Sequence, residues 1–200
     1  MSIIENIKTA ALAWDTEVFR FINIKLHNDF IALLMKITAN DIFLCAVILA
    51  GIFFLLKNNS LKNRANAAFA LWSIIAANVF STYVLKRIFK RERPYLAIHD
   101  AYLLVNKTRT YGFSFPSTHT FMAAILAVIL WDDYKKARPL LALFVFFVGF
   151  FCIYTGGHYP SDVAAGFVLG IIFGKTANRL KKIYLNKVLK NNVETPPRGV

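Results

Sequence analysis

The sequence predicts an all-α fold, a polytopic membrane helix bundle of about five transmembrane helices preceded by N-terminal amphipathic helices. Three observations predict it. The 200-residue chain is 57% hydrophobic, where a soluble domain is about 45–50% apolar, and its mean hydropathy is +0.49. Apolar stretches of roughly 15–20 residues recur, close to the length that crosses a bilayer core. Lys and Arg gather at the ends of those stretches rather than inside them. The length suits one compact domain over 1–200, with interfacial helices at 1–40, a transmembrane core at 41–178 and a basic cytoplasmic tail at 179–200.

Each element follows from local pattern. In residues 1–40, Trp14-Asp15-Thr16-Glu17-Val18-Phe19-Arg20-Phe21-Ile22 and Phe30 to Met35 carry apolar residues at helical spacing. Arg20, Lys25, His27, Asp29 and Lys36 recur too often for a span, so these helices are expected to lie on the membrane; a tilted extra span is the alternative. Glu5 and Lys8 interrupt any early apolar core, which argues against a signal peptide. Ile42 to Leu56 is the first clear span, followed by a polar turn at Lys57 to Arg64. Ala65 to Phe89 is a long helix, ended by Arg93-Pro94. Residues 95–115 form a loop rich in Tyr and Phe. Ser117 to Trp131, Pro139 to Thr155 and Asp162 to Ala177 are the remaining spans, separated by Asp132 to Arg138 and by the breaker Gly156-Gly157-His158-Tyr159-Pro160. Gly166, Gly170 and Gly174 form a small-residue ridge suited to close helix contact.

The formal charge of +13 would suggest nucleic acid in a soluble chain. Here the cations sit at the ends of apolar runs, which points to anionic lipid headgroups and topology instead. Cys45 and Cys152 both lie in apolar runs, with neither a disulfide framework nor metal-ligand spacing. Five spans put 57–64, 132–138 and the tail on one side, with 13 Lys/Arg against 11 on the other. Five of those 11 fall between positions 86 and 93; setting them aside leaves six, and the positive-inside rule then puts the tail in the cytoplasm.

On this topology three polar pieces share the outer face. In Lys86-Arg87-Ile88-Phe89-Lys90-Arg91-Glu92-Arg93-Pro94, positions 86, 90 and 93 share a face if the helix continues. Arg offers a planar fork to phosphate oxygens and Lys a compact charge. Pro94 is expected to stop the helix and fix the direction of Arg93. Taken alone, the cluster is better explained by binding of lipid headgroups. In Pro116-Ser117-Thr118-His119, proline opens a helix, Ser or Thr caps it, and free first-turn N–H groups make an anion nest. His119 is placed to give a proton to a leaving oxygen. In His158-Tyr159-Pro160-Ser161-Asp162, Asp162 can reach back to one ring nitrogen and leave the other free to attack.

Together these residues resemble the type 2 phosphatidic acid phosphatase (PAP2) superfamily, which includes vanadium haloperoxidases. Its signature is Lys-x6-Arg-Pro, then Pro-Ser-Gly-His, then Ser-Arg-x5-His-x3-Asp, and the resemblance covers about residues 83–166. It implies a metal-free lipid phosphate or diphosphate phosphatase without cofactor. His158 would form a phosphohistidine, Asp162 would orient it, and His119 would protonate the leaving group. Lys86, Arg93, Ser117 and Thr118 would hold the phosphate. The chain's size is similar to that of bacterial undecaprenyl-diphosphate and phosphatidylglycerophosphate phosphatases. That implies a bacterial inner membrane, an active site facing outward and a lipid phosphate as partner; lipid A phosphatase or phosphotransferase activity is the alternative.

The sequence departs from the family at two places. Thr118 stands where glycine is usual. Phe151 and Cys152 stand where Ser-Arg is expected, so the arginine that would clamp the transferring phosphoryl group is missing. Three outcomes are open: another cation (Arg87, Arg91, Lys107 or Arg109) fills the gap, the substrate brings a different charge pattern, or the protein binds lipid phosphate with little or no turnover. Cys152 does not begin a Cys-x5-Arg phosphatase loop, because position 158 is His.

Overall fold

The computed structural model describes residues 3–38, 60–104 and 112–194, with a few scattered positions between 46 and 57. The expected first span, Ile42 to Leu56, lies outside the described residues. Seven helices are used below. Helix α1 (Ile3–Arg20) runs on through a π turn, Phe21–Lys25, and α2 is Asp29–Thr38. Helix α3 (Leu61–Phe80) continues through a π turn, Ser81–Leu85, into a last turn, Lys86–Phe89. A single turn, α4 (Pro94–Ala97), precedes α5 (Thr118–Trp131), α6 (Arg138–Tyr154) and α7 (Pro160–Glu194). Among the described residues there is no strand.

Leu61–Ala97, Lys135–Tyr154 and Pro160–Asn191 are long and apolar enough to cross a membrane; α5 is apolar but shorter. At 1.5 Å per residue its 14 residues reach only about 21 Å. It tolerates this because it is the buried centre of the bundle. Phe121, Ile125 and Ile129 of α5 meet Ala70, Ile74 and Ala77 of α3 and Ala177 of α7. Its other face, with Ala123, Ala124 and Ala127, takes Val145 of α6. The outer faces stay apolar: Trp72, Ile75 and Val79 on α3, Leu140, Phe146 and Phe147 on α6, and Val168 and Ile172 on α7 are exposed. Such a girdle fits lipid rather than water.

The glycine ridge does what the spacing predicts. A Cβ on Gly166 would stand 2.5 Å from the Ser117 carbonyl oxygen, and one on Gly174 2.7 Å from Val128 Cβ; a Cβ on Gly170 would collide with Ala124. Helix α7 therefore lies backbone-close against α5, and the two helix starts are tied by Ser117 N–H donating to the Asp162 carbonyl at 3.0 Å.

The opposite end of the bundle is locked by polar groups. Buried Lys181 donates to Asn66 Oδ1 (2.6 Å) and Asp133 Oδ2 (3.2 Å), and Lys62 pairs with Asp133 Oδ1 at 2.8 Å. Burial opposes ionisation of Asp133, yet the bonds from Lys62, Asn66 and Lys181 hold its carboxyl below the usual range. Asp162 and Lys181 stand 19 positions apart on α7, or about 28 Å. That is one hydrocarbon thickness.

The way the long helix stops and the course of the tail depart from expectation. The long helix ends at Phe89 as expected, but the stop is Lys90 and not Arg93-Pro94: Lys90 adopts a left-handed conformation, φ 45°, which terminates helices. Lys86, Lys90 and Arg93 therefore do not share a helical face. Pro94 does not stop that helix; it opens α4, with Arg93 extended at the cap. The start of α5 is as expected: Pro116 precedes it, and Ser117 is the N-cap and accepts from Thr120 N–H. The basic tail is helical as far as Glu194, as a continuation of α7.

Candidate active site

The site lies where the C-terminal ends of α3 and α6 and the N-terminal ends of α5 and α7 meet the start of α4. Arg93 is its centre. Leaving the helix at Lys90 turns the chain so that this guanidinium points inward, and it is buried. Its Nε donates to Gly112 O (3.1 Å) and Nη1 to Gly157 O (2.9 Å). Nη1 also lies 3.4 Å from His158 Nε2.

That last contact fixes the tautomer. A guanidinium has only donors, so Nε2 must be the acceptor. Its lone pair faces Arg93, and the ring proton belongs on Nδ1, which faces Asp162. The Nδ1–Oδ2 distance is 3.7 Å, longer than a hydrogen bond; Nδ1 is buried with no other partner among the described residues. Asp162 is engaged elsewhere: Oδ2 accepts Tyr159 N–H at 2.9 Å and Oδ1 accepts Arg91 Nη1 at 2.7 Å. Burial, together with the Arg93 and Lys86 charges, outweighs the Asp162 carboxylate and lowers the His158 pKa from 6.5 to about 4.

Of the other expected residues, Lys86 and Ser117 reach this region through their neighbours. Lys86, on the last turn of α3, lies near enough to feel the charges of Arg93 and Asp162. Ser117 is fully buried, and its hydroxyl reaches Cys152 Sγ at 3.6 Å. Position 152, where the family resemblance leads one to expect an arginine, thus lies against Ser117. Thr118 uses its hydroxyl on Ser81 at 2.8 Å, tying α5 to the π turn of α3. His119 is half-buried in the first turn of α5.

Among the cations expected to replace the missing arginine, Arg91 alone is seen at the site. Arg87 lies over the Tyr83 ring at 5.6 Å on the exposed side, and Lys107 and Arg109 lie outside the described residues. But Arg91 is committed to carboxylates, pairing with Asp15 as well as Asp162. Asp15 and Ser161 went unnoticed in the sequence. Asp15 is 2% exposed and belongs to a buried stripe of α1 with Phe19 and Asn23, at i, i+4 and i+8. A carboxylate on the inward face of an amphipathic helix was the available signal.

A buried histidine beside a carboxylate and faced by an arginine, at the end of a bundle of apolar helices, is an arrangement suited to a membrane-embedded phosphate site. Comparison with known proteins gives the family. The family model for the PAP2 superfamily matches residues 66–183, and the chain belongs to that superfamily. It is an integral membrane protein. Among curated relatives, undecaprenyl-diphosphatase BcrC of Bacillus subtilis (strain 168) is 29% identical over 160 residues, covering 79% of each chain. Among solved structures, LpxE of Aquifex aeolicus superposes with a TM-score of 0.63 at 26% identity, covering 82% of this chain and 93% of that one. The first transmembrane PAP2-type phosphatidylglycerolphosphate phosphatase from Bacillus subtilis superposes with a TM-score of 0.64 at 24% identity, covering 90% and 88%; this likeness speaks for the fold.

Proposed function

We propose that this protein is a lipid phosphate or diphosphate phosphatase that works through a phosphohistidine at His158, on a prenyl diphosphate such as undecaprenyl diphosphate or on a phosphoglycerolipid. The observation that carries the reading is the 3.4 Å contact between Arg93 Nη1 and His158 Nε2. It aims a neutral nitrogen lone pair at the place where the guanidinium would hold a phosphate oxygen. With a pKa of about 4, only on the order of one ring in a thousand is protonated at neutral pH, so the nucleophile needs no separate base.

The reaction runs in two displacements. Arg93 and Lys86 hold the phosphate, with the first-turn N–H groups of α5 and the Ser117 hydroxyl completing the cradle. His158 Nε2 bonds to phosphorus as the bridging P–O bond breaks. His119 gives a proton to the departing lipid oxygen. The imidazolium formed is stabilised by Asp162, which needs a shift of less than about 1 Å to reach hydrogen-bond distance from Nδ1. Water then attacks phosphorus and gives its proton to His119, the P–N bond breaks with its electron pair returning to Nε2, inorganic phosphate leaves and His158 returns to neutral. Lipid enters sideways between the helices, and the site faces the outside of the bacterial inner membrane, as the Lys/Arg distribution suggests.

The test is phosphate release from a panel of undecaprenyl diphosphate, phosphatidylglycerophosphate, phosphatidic acid and lipid A, comparing wild type with His158→Ala. Loss of release in the variant supports the reading; equal background release from both overturns it. One observation favours a second reading, a lipid-phosphate binder with little turnover: Cys152 occupies the clamp position and Arg91 is held by two carboxylates. On that reading wild type and His158→Ala bind the lipids alike and neither releases phosphate.

A further inference from the structure

We infer that Asp15, on the N-terminal helix, is a positioning residue for the His158–Asp162 pair and acts through Arg91. The inference rests on the phosphohistidine reading above. Its basis is a closed chain of contacts between segments distant in sequence. Arg91 Nη2 pairs with Asp15 Oδ2, and Arg91 Nη1 donates to Ser161 Oγ (2.6 Å) and to Asp162 Oδ1 (2.7 Å). Asp15 also accepts Ser161 N–H (2.8 Å) and Ser161 Oγ–H (2.5 Å). The Arg91 guanidinium lies 4.0 Å from the centroid of the Tyr159 ring, which limits its movement.

Two consequences follow from this geometry. Asp15 caps α7 from another helix, since Ser161 N–H belongs to the first turn, where N–H groups lack intrahelical acceptors. Asp15 also divides the Arg91 charge. With both carboxylates in place, Arg91 binds only Oδ1 of Asp162, and Oδ2 remains turned toward His158 Nδ1. Without Asp15, the fork is free to take both Asp162 oxygens, as arginine prefers. That would draw the carboxylate from the histidine it must stabilise when the ring becomes cationic. Asp15 itself is held in register by its neighbour on the stripe, Phe19, which packs on Ile98, Ile153 and Tyr159. Seating of the amphipathic helix is thereby coupled to the reactivity of the nucleophile.

The charged groups that reach His158 are Asp162 at the start of α7, Arg93 between α3 and α4, and Lys86 on α3. Asp15 on α1 and Arg91 reach it through Asp162. Tyr95 of α4 and Cys152 of α6 lie near Arg93, Arg91 stacks on Tyr159, and His119 stands in the first turn of α5. Changing Asp15 removes a negative charge from this set, and changing Arg91 removes a positive one. The two therefore move the protonation of His158 in opposite directions, which a purely structural role would not do.

The experiment uses the full-length protein in lipid, with undecaprenyl diphosphate as probe. The acid limb of kcat/KM is compared for wild type, Asp15→Asn, Arg91→Gln and the double variant, each checked for folding by thermal melting. Asp15→Asn is expected to lower kcat about tenfold with KM little changed, and to move the acid limb down by on the order of half a pH unit. Arg91→Gln is expected to move the limb up by a similar amount, and the double variant to return it close to wild type. Asp15→Glu, which keeps the charge, should recover most of the kcat. Limbs that stay fixed or move in the same direction, while His158→Ala still abolishes release, overturn the positioning role alone. Full release by His158→Ala overturns the catalytic reading and this inference with it. If Asp15→Asn does not fold, the Arg91→Gln limb decides: upward supports the inference, unchanged or downward overturns it.

Discussion

The sharpest expectation concerns the protonation of His158. In water an imidazole has a pKa near 6.5; here burial and the neighbouring Arg93 and Lys86 charges lower it to about 4. At pH 5 the neutral fraction is then about 0.9, against about 0.03 for an unperturbed ring, a difference of roughly thirtyfold in competent nucleophile. Stability must follow the same linkage. The folded protein binds the proton more weakly than the unfolded chain. The His158 contribution is therefore fully present above about pH 6.5 and is lost as pH falls toward 4, by about 3 kcal/mol in total. The assay is kcat/KM against pH with a prenyl diphosphate, divided by the substrate's own ionisation measured by phosphorus resonance. An acid limb near pH 4 is expected. A limb between 6 and 7 that survives this correction would mean that His158 is solvated and not caged by Arg93, and the site geometry would be refuted.

Other substitutions test separate parts of the fold. Cys152→Arg puts a third cation beside the Ser117 hydroxyl, at the missing clamp; an oriented donor of this kind is worth about 10²–10³ in rate. Phosphate release is expected to rise at least tenfold, and a fall in both release and phosphate-analogue binding would show that the pocket already has its full charge. Gly166→Ala drives a methyl group to 2.5 Å from the Ser117 carbonyl. Thermal melting should show a loss of about 1–3 kcal/mol, with kcat reduced about a hundredfold by displacement of the cradle. Lys181→Met strips a donor from Asn66 and Asp133 and should destabilise by about 2 kcal/mol with kcat unchanged, because the site lies about 28 Å away.

The helices and the identity of the chemical groups were legible in the sequence; the local backbone was not. Apolar runs located α5, α6 and the body of α3 to within a few residues, because lipid-facing and buried faces are both apolar and a continuous run suffices to mark them. The glycine ridge was readable since close approach leaves no other choice of side chain. What periodicity could not reveal was the left-handed turn at Lys90. A lysine carries no signal for that conformation, so Arg93 was placed on a helical face when it reaches the pocket from an extended segment. The start of α5 was legible, because a proline followed by Ser-Thr marks a capped helix start, and Ser117 takes the cap. Asp15 escaped notice because its partners, Arg91 and Ser161, are 76 and 146 residues away, and only tertiary packing brings them together.

The charge arrangement explains how a PAP2 site can lack its third-motif arginine and still be organised for a phosphate. Asp15, Lys86, Arg91, Arg93 and Asp162 together carry one net positive charge. Two carboxylates claim Arg91, while Lys86 and Arg93 are paired with no carboxylate among the described residues. A phosphate dianion entering between them meets two uncommitted cations and leaves the cluster one charge negative. An arginine at position 152 would bring the loaded site to neutrality. Without it, the ground-state complex holds phosphate less tightly, and the excess negative charge favours the moment at which His158 turns cationic. The same substitution that weakens the cradle thus assists the step that follows binding. For that reason the Cys152→Arg gain should be larger in kcat/KM at low substrate than in kcat at saturation.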